Sequence, residues 1–242
     1  MNAPQRVPSF NEKLALAVAN VTYRVARTEA ERDAIFALRY KDYLRDGGIG
    51  PNASERFSDP WDEAENALLI GMYYGDRLAS SVRFHMNRPA EAPMPAKEIF
   101  ADVLKPFLDA GLTVMDPTRF VIDPDLAHIG PELPYLTLRM IAMAAEHYRA
   151  DIVLATIRQE HLIVYKHIVG HTPISEPRSY PLLARKIVCT KVDIEHMRAT
   201  AYRRHPFLDS TAQERERIFG RRDETRLAAE SGVRRCVASA IA

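Results

Sequence analysis

Several features that would assign the chain to a class are scarce or missing from its 242 residues. Cysteine occurs only at Cys189 and Cys236, which is no disulfide framework, and a reduced, cytoplasmic compartment is expected. No apolar run approaches the ~18 residues of a spanning segment. Arg6 is followed by no continuous hydrophobic stretch, so no secretion signal is expected. A formal net charge of +1 supplies no global field for nucleic acid. The turns G-x-G-x-x-G, G-x-x-x-x-G-K-[ST] and G-x-S-x-G do not occur, which removes support for dinucleotide binding, P-loop chemistry and a nucleophile elbow. His85, His128, His147, His161 and His167 have no metal-site spacing, and no metal is expected.

What is present reads as a mixed α/β protein. Apolar residues make up 47% and charged residues 27%, as in ordinary soluble domains. The stretch from Thr113 to Ile157 holds a strand over Val114–Ile122, an amphipathic helix from Leu133 to Tyr148 and a β-branched strand over Asp151–Ile157, a right-handed βαβ unit. Upstream, Ser9 with Glu12 and Thr28 with Glu31 are capping boxes that open helices. Between them Tyr23–Ala26 reads as a strand, and Gly47-Gly48 ends the second helix. Ile49–Glu65 is a long Ser/Asp/Asn/Pro-rich loop and a candidate lid. Ala67–Tyr73 and Leu78–Met86 form a hairpin, Asn87–Ala96 is irregular, and Ile99–Leu108 is helical. A short helix over Gln159–Val169 stops at Gly170, and His171–Ile174 and Lys186–Ile194 are the last strands. The tail beyond His196 is helical and rich in arginine, with Arg203, Arg204, Arg221 and Arg222 among its residues. Roughly six or seven strands with helices on both faces are expected.

This order of elements resembles the GNAT acyltransferase fold. More narrowly, the sequence is similar to long-chain N-acyl amino acid synthases and their acyl-homoserine-lactone synthase relatives. The likeness is carried by Leu38-Arg39-Tyr40-Lys41-Asp42-Tyr43, Phe57-Ser58-Asp59-Pro60-Trp61-Asp62, the strand Leu78–Phe84, Thr118–Ile122, Ala155-Thr156, His161–Lys166, Val169-Gly170 and Tyr180-Pro181. It covers about residues 23 to 192. The implied architecture is a splayed central sheet in a domain over 21–194, an N-terminal helical extension over 1–20, and a charge-rich helical extension over 195–242. The implied activity moves a long fatty acyl chain from an acyl-carrier-protein thioester to an amino acid amine. The implied donor arm is 4'-phosphopantetheine, with no permanently bound cofactor. Contact with a membrane surface is expected only for product release. The alternatives are a lactone synthase that consumes S-adenosylmethionine and a non-catalytic binding module of the same fold.

The resemblance puts Arg39 and Tyr43 along the site. It groups Asp59, Asp62 and Arg83 in a polar network and sets Arg119 beside the thioester. Trp61 would anchor the lid, while Phe84, Thr156 and Tyr165 would line the substrate path. In aminolysis of a thioester the amine must lose a proton; Asp116 is the candidate to order or deprotonate it, and an ion pair with Arg119 or Arg83 is its structural alternative. Asp116 and Arg119 point to opposite faces of an ideal strand, unless a bulge near Pro117 intervenes. Arg119 suits a bidentate hold on an acceptor carboxylate, with Arg83 as the competing clamp. Leu136, Met140, Met143 and Leu154 could bound an acyl tunnel. The turn Asp123–Gly130 offers carboxylates where a diphosphate would need backbone N–H groups. That favours a carrier protein over coenzyme A, steered by arginines such as Arg158, Arg203 and Arg204.

Overall fold

The computed structural model describes residues 6, 8–89, 91–127, 130–180 and 183–220. His128, Pro181, Arg221, Arg222 and Cys236 lie outside the described residues. Helix α1 (Phe10–Val18) and helix α2 (Glu29–Arg45) both open with reciprocal capping boxes, Ser9 with Glu12 and Thr28 with Glu31. Each satisfies two amides that a helix start leaves without partners. Strand β1 (Val21–Val25) lies between these helices. Strands β2 (Leu68–Tyr74) and β3 (Arg77–Met86) form a hairpin. Its Gly75 has φ +59, a conformation that costs glycine little because no Cβ clashes. Helix α3 (Pro95–Asp109), strand β4 (Val114–Ile122), helix α4 (Leu133–His147) and strand β5 (Ile152–Arg158) follow. Helix α5 (Leu162–Val169) ends at Gly170, which has φ +83. Strands β6 (Thr172–Pro173), β7 (Arg178–Tyr180) and β8 (Leu183–Asp193) lead to α6 (Ile194–Ala199), α7 (Ala201–Arg204) and a helix over 212–220.

Two local expectations differ from the structure. Helix α3 starts at Pro95 instead of Ile99, because proline suits a first turn, where its missing N–H costs nothing. The strand expected over His171–Ile174 shrinks to two residues, and β7 adds a second short segment along the same edge of β8. Pro173 and Pro177 lack the donors that a continuous ladder requires.

The sheet has eight strands among the described residues, in the order β1-β2-β3-β4-β5-β8-β6, with β7 also on β8. Its neighbours are antiparallel except β4 and β5. That parallel pair consists only of Val114 with Ile152 and Met115 with Val153. Beyond it the two strands diverge, and the sheet splays into a cleft. One face carries α2 over Leu69 and α3 over Val114 and Leu154. The other carries α4 over Val82, Phe84 and Met115, in the largest core. Leu14 of α1 joins that core, as do Phe207, Leu208 and Phe219 from the segment after β8. No helix of the described residues is long and apolar enough to cross a membrane.

Candidate active site

The loop before β2 is shaped by its own acids. Asp59 accepts a hydrogen bond from the Trp61 amide, and Asp62 accepts one from the Asp59 amide. Pro60 begins the 3-10 turn Pro60–Glu63 that these bonds close. The remaining oxygen valence of both carboxylates goes to three arginines from different elements. Arg39 of α2 is fully buried and donates Nη1 to both oxygens of Asp62, at 2.8 and 2.9 Å. Arg83 of β3 lies 2.9 Å from Asp62 and donates to Asp59, while its Nε donates to Thr118 Oγ1 at 3.1 Å. Arg119 of β4 donates Nε to Asp59 Oδ2 at 2.9 Å and stacks near the rings of Tyr43 and Phe57. Burial opposes the charge on Asp59, but Arg83 and Arg119 outweigh it and hold its carboxyl below the usual range. Ion pairs of this kind replace lost hydration only when their geometry is good. The Nε and Nη2 of Arg39 still lack hydrogen-bond partners, with the Phe36 ring 5.4 Å from its guanidinium.

A β-bulge makes this cluster possible. Ser81 pairs with Val121 and Arg83 with Thr118, so two steps along β3 face three along β4. Arg119 and Phe120 together oppose Val82, and Arg119 takes φ +56, an uncommon conformation for a residue with a Cβ. An undistorted strand would send Arg119 to the face opposite Thr118. Here it shares Asp59 with Arg83.

Asp116 lies on the same side of the sheet but in a different compartment. Its Oδ2 accepts the Ala96 amide at 2.7 Å, in the first turn of α3, and the residue is fully buried. It makes no ion pair with Arg83 or Arg119, and its Oδ1 has no partner. Burial pushes its carboxyl up to about 7, against the Ala96 bond and Arg83. His85, directly opposite it on β3, is driven down to about 4 by burial and Arg83. Its Nε2 lies 3.0 Å from the Trp61 carbonyl and so must carry the ring proton.

A cavity of about 1100 Å³ opens where β4 and β5 part. That exceeds the usual range for a small-molecule pocket. Consecutive residues from Val153 to Arg158 border it, so both faces and the free edge of β5 are exposed to it. One end is polar, with Asp42, Tyr43, Asp59, Arg119 and Arg158; the body is apolar, with Phe100, Leu138 and Ile141 among its walls. Of the residues singled out in the sequence, Tyr43, Asp59, Arg83, Arg119, Thr156 and Tyr165 line this space.

The others do not. Arg39 and Asp62 neutralise each other beneath it, and Trp61 sets its ring against His85, with centroids 6.0 Å apart. Phe84 alternates with Arg83 along β3 and therefore enters the core under α4. Asp116 is capped off beneath α3. Leu154 borders the cavity as expected, whereas Leu136, Met140 and Met143 occupy the core. The cleft side of α4 is formed by Pro134, Leu138, Ile141 and Ala142. Arg158 stands at the cavity, while Arg203 and Arg204 lie on α7, away from its lining. Two further features of the site have a local signal in the sequence. The acid-Pro-x-acid spacing of Asp59 to Asp62 was legible as a cap, and Asp42 with Asp46 was legible as a like-charged pair one helical turn apart.

A family description, N-acyl amino acid synthase FeeM, matches residues 34–193. The chain belongs to the FeeM family of N-acyl amino acid synthases. It is therefore an acyltransferase. Among curated protein sequences no match was found. Solved structures share the fold. FeeM, an N-acyl amino acid synthase from uncultured soil microbes, is 19% identical, with 74% of this chain and 93% of that one covered and a TM-score of 0.63. The coenzyme-A-dependent acyl-homoserine lactone synthase BjaI is 17% identical, with coverages of 76% and 90% and a TM-score of 0.56. A putative N-acetyltransferase from Lactobacillus plantarum is 14% identical, with coverages of 72% and 98% and a TM-score of 0.51. These likenesses make the fold GNAT-like.

Proposed function

We propose that the protein transfers a long-chain fatty acyl group from the 4'-phosphopantetheine thioester of an acyl-carrier protein to the amine of an amino acid. The observation that carries this reading is the cavity itself: apolar walls and a group of arginines and carboxylates line one space of about 1100 Å³ at the splay of β4 and β5. An acyl chain fits the apolar body. Beyond Met115 and Val153 the facing edges of β4 and β5 no longer pair with each other, which leaves backbone donors and acceptors for the amides of a pantetheine arm.

The thioester is already activated, so its aminolysis needs positioning, a proton acceptor and donors for the developing oxyanion. Three guanidinium groups share two carboxylates in the cluster, and the surplus positive charge suits an acceptor that brings a carboxylate. Arg119 is the member best placed to meet it, since its side chain is 12% exposed against 1% for Arg83 and 0% for Arg39.

The test is product analysis followed by acceptor comparison. Purified protein with a long-chain acyl-carrier-protein donor should form an N-acyl amino acid without consuming S-adenosylmethionine. Arg119→Ala should lower kcat/KM for the amino acid roughly 10- to 100-fold, as expected for a lost charge-assisted contact. It should affect the matching decarboxylated amine far less, and Arg119→Lys should restore only part of the loss. Equal losses with both acceptors would assign Arg119 to the structural network alone.

A further inference from the structure

Helix α2 places Arg45 in its last turn, as the dipole favours, but sets two acids there as well. Asp42 and Asp46 sit one turn apart near its C-terminus. Like charges at that spacing repel, and the helix dipole there favours cations. Asp46 finds relief in Arg158, 3.3 Å away. Asp42 does not: among the described residues no hydrogen bond or ion pair reaches its carboxylate, and it is half-buried at the polar end of the cavity. A partly desolvated carboxylate with arginines nearby but no direct hydrogen-bond partner suits a ligand that brings the missing donor.

Resting on the acyl-transfer reading above, we infer that Asp42 holds the acceptor's amino group and takes its proton as the carbon–nitrogen bond forms. The amine nitrogen attacks the thioester carbonyl, and its remaining N–H becomes acidic as the bond forms. That proton passes to Asp42. Collapse of the tetrahedral intermediate then breaks the carbon–sulfur bond, and the departing thiolate takes the proton back, leaving amide, free thiol and ionised Asp42. The carboxylate of the same acceptor meets Arg119 across the polar end.

The groups around Asp42 come from three elements. Arg45 and Asp46 are its neighbours on α2, and Arg158 faces it from the end of β5, with His161 just beyond. Asp123 follows β4 and is itself held by Lys41 and Arg77. Burial and Asp46 push the Asp42 carboxyl up to about 6, against Arg45 and Arg158. A base at that value is still mostly ionised at neutral pH and is stronger than an ordinary carboxylate. Asp116, by contrast, is closed under α3 and is not among the residues that line the cavity.

The experiment compares the wild type, Asp42→Asn, Asp42→Glu and Asp116→Asn from pH 5 to 9, with an acyl-carrier-protein donor and an amino acid acceptor. Ionisation of a free amine alone makes kcat/KM first-order in pH. The wild-type profile should steepen to second order below about pH 6, and Asp42→Asn should stay first-order throughout. Its kcat should fall roughly 100-fold at pH 7.5, with the donor KM and the melting temperature little changed. Asp42→Glu should recover part of the rate and a shifted steepening, and Asp116→Asn should keep the wild-type shape. An Asp42→Asn profile that still steepens, or a steepening abolished by Asp116→Asn, overturns the inference while the acyl-transfer reading stands. A wild type that acylates no amine overturns both.

Discussion

Burying a carboxylate is costly unless its charge is matched or removed, and Asp59 and Asp116 meet that constraint in opposite ways. Asp59 is matched by Arg83 and Arg119 and is held ionised. Asp116 is matched by one amide, and its carboxyl rises from an ordinary 3.8 to about 7. A carboxyl whose folded pKa lies above its unfolded value binds more protons in the folded state. Its contribution therefore weakens as pH rises from about 4 to about 7. Asp116→Asn keeps an acceptor for the Ala96 amide and removes the titration. Its stability relative to the wild type should thus be greater at pH 8 than at pH 5, by roughly 1–4 kcal/mol. Urea unfolding at both pH values measures this, and parallel wild-type and variant pH curves would show that Asp116 does not titrate in this window. The sequence exposed Asp116 as an acid among apolar residues, but its helical partner lies 20 positions away. Local pattern could not distinguish a catalytic base from the cap of α3.

Helix α4 illustrates the same limit for whole elements. Its apolar period was visible, and so was its place between two strands. Yet Leu136 through Ala145 are all buried, so amphipathicity alone does not tell which apolar face meets the core and which meets the cavity. The cleft side contains Leu138, Ile141 and Ala142, and the core side contains Leu136, Met140 and Met143. A larger side chain should therefore have different consequences on the two sides. Ala142→Phe should occupy acyl space and lower kcat/KM for the longest donors at least about tenfold relative to shorter ones. Ala144→Phe should overpack the core and cost about 1–3 kcal/mol or more without a comparable change in chain preference. Competition among donors of graded length, with thermal unfolding of both variants, checks the assignment. An unchanged length profile for Ala142→Phe would remove this part of α4 from the acyl path.

At the scale of the molecule, charge is arranged locally. The net charge is only +1, but Arg45 and Arg158 stand at the cavity, and Lys166 is exposed on neighbouring α5. Among its described residues, the turn after β4 offers few free donors to a diphosphate. Asp123 and Asp125 are engaged with Lys41 and Arg77, the Leu133 amide is bonded to Gly130, and Pro134 has no amide hydrogen. An acyl-carrier-protein donor should consequently have the higher kcat/KM than the same acyl group on coenzyme A at low salt. Its advantage should shrink as salt screens the encounter. A clear preference for coenzyme A at low salt would remove the carrier protein as the principal donor.

Sequence alone determined the features that depend on neighbours in the chain: the capping boxes at Ser9 and Thr28, the Gly75 hairpin, the stop at Gly170 and the strand–helix–strand unit. It also made the family legible through Arg39, Asp59, Asp62, Arg83 and Arg119, whose spacings along the chain carry the resemblance and which meet in one polar cluster. Tertiary structure decided how those residues divide. The β4 bulge carries Arg119 to Asp59, the first turn of α3 closes over Asp116, and the parting of β4 from β5 opens a cavity beside Asp42. Each of these depends on register or contact between distant segments, where a one-residue shift sends a side chain to the other face of the sheet.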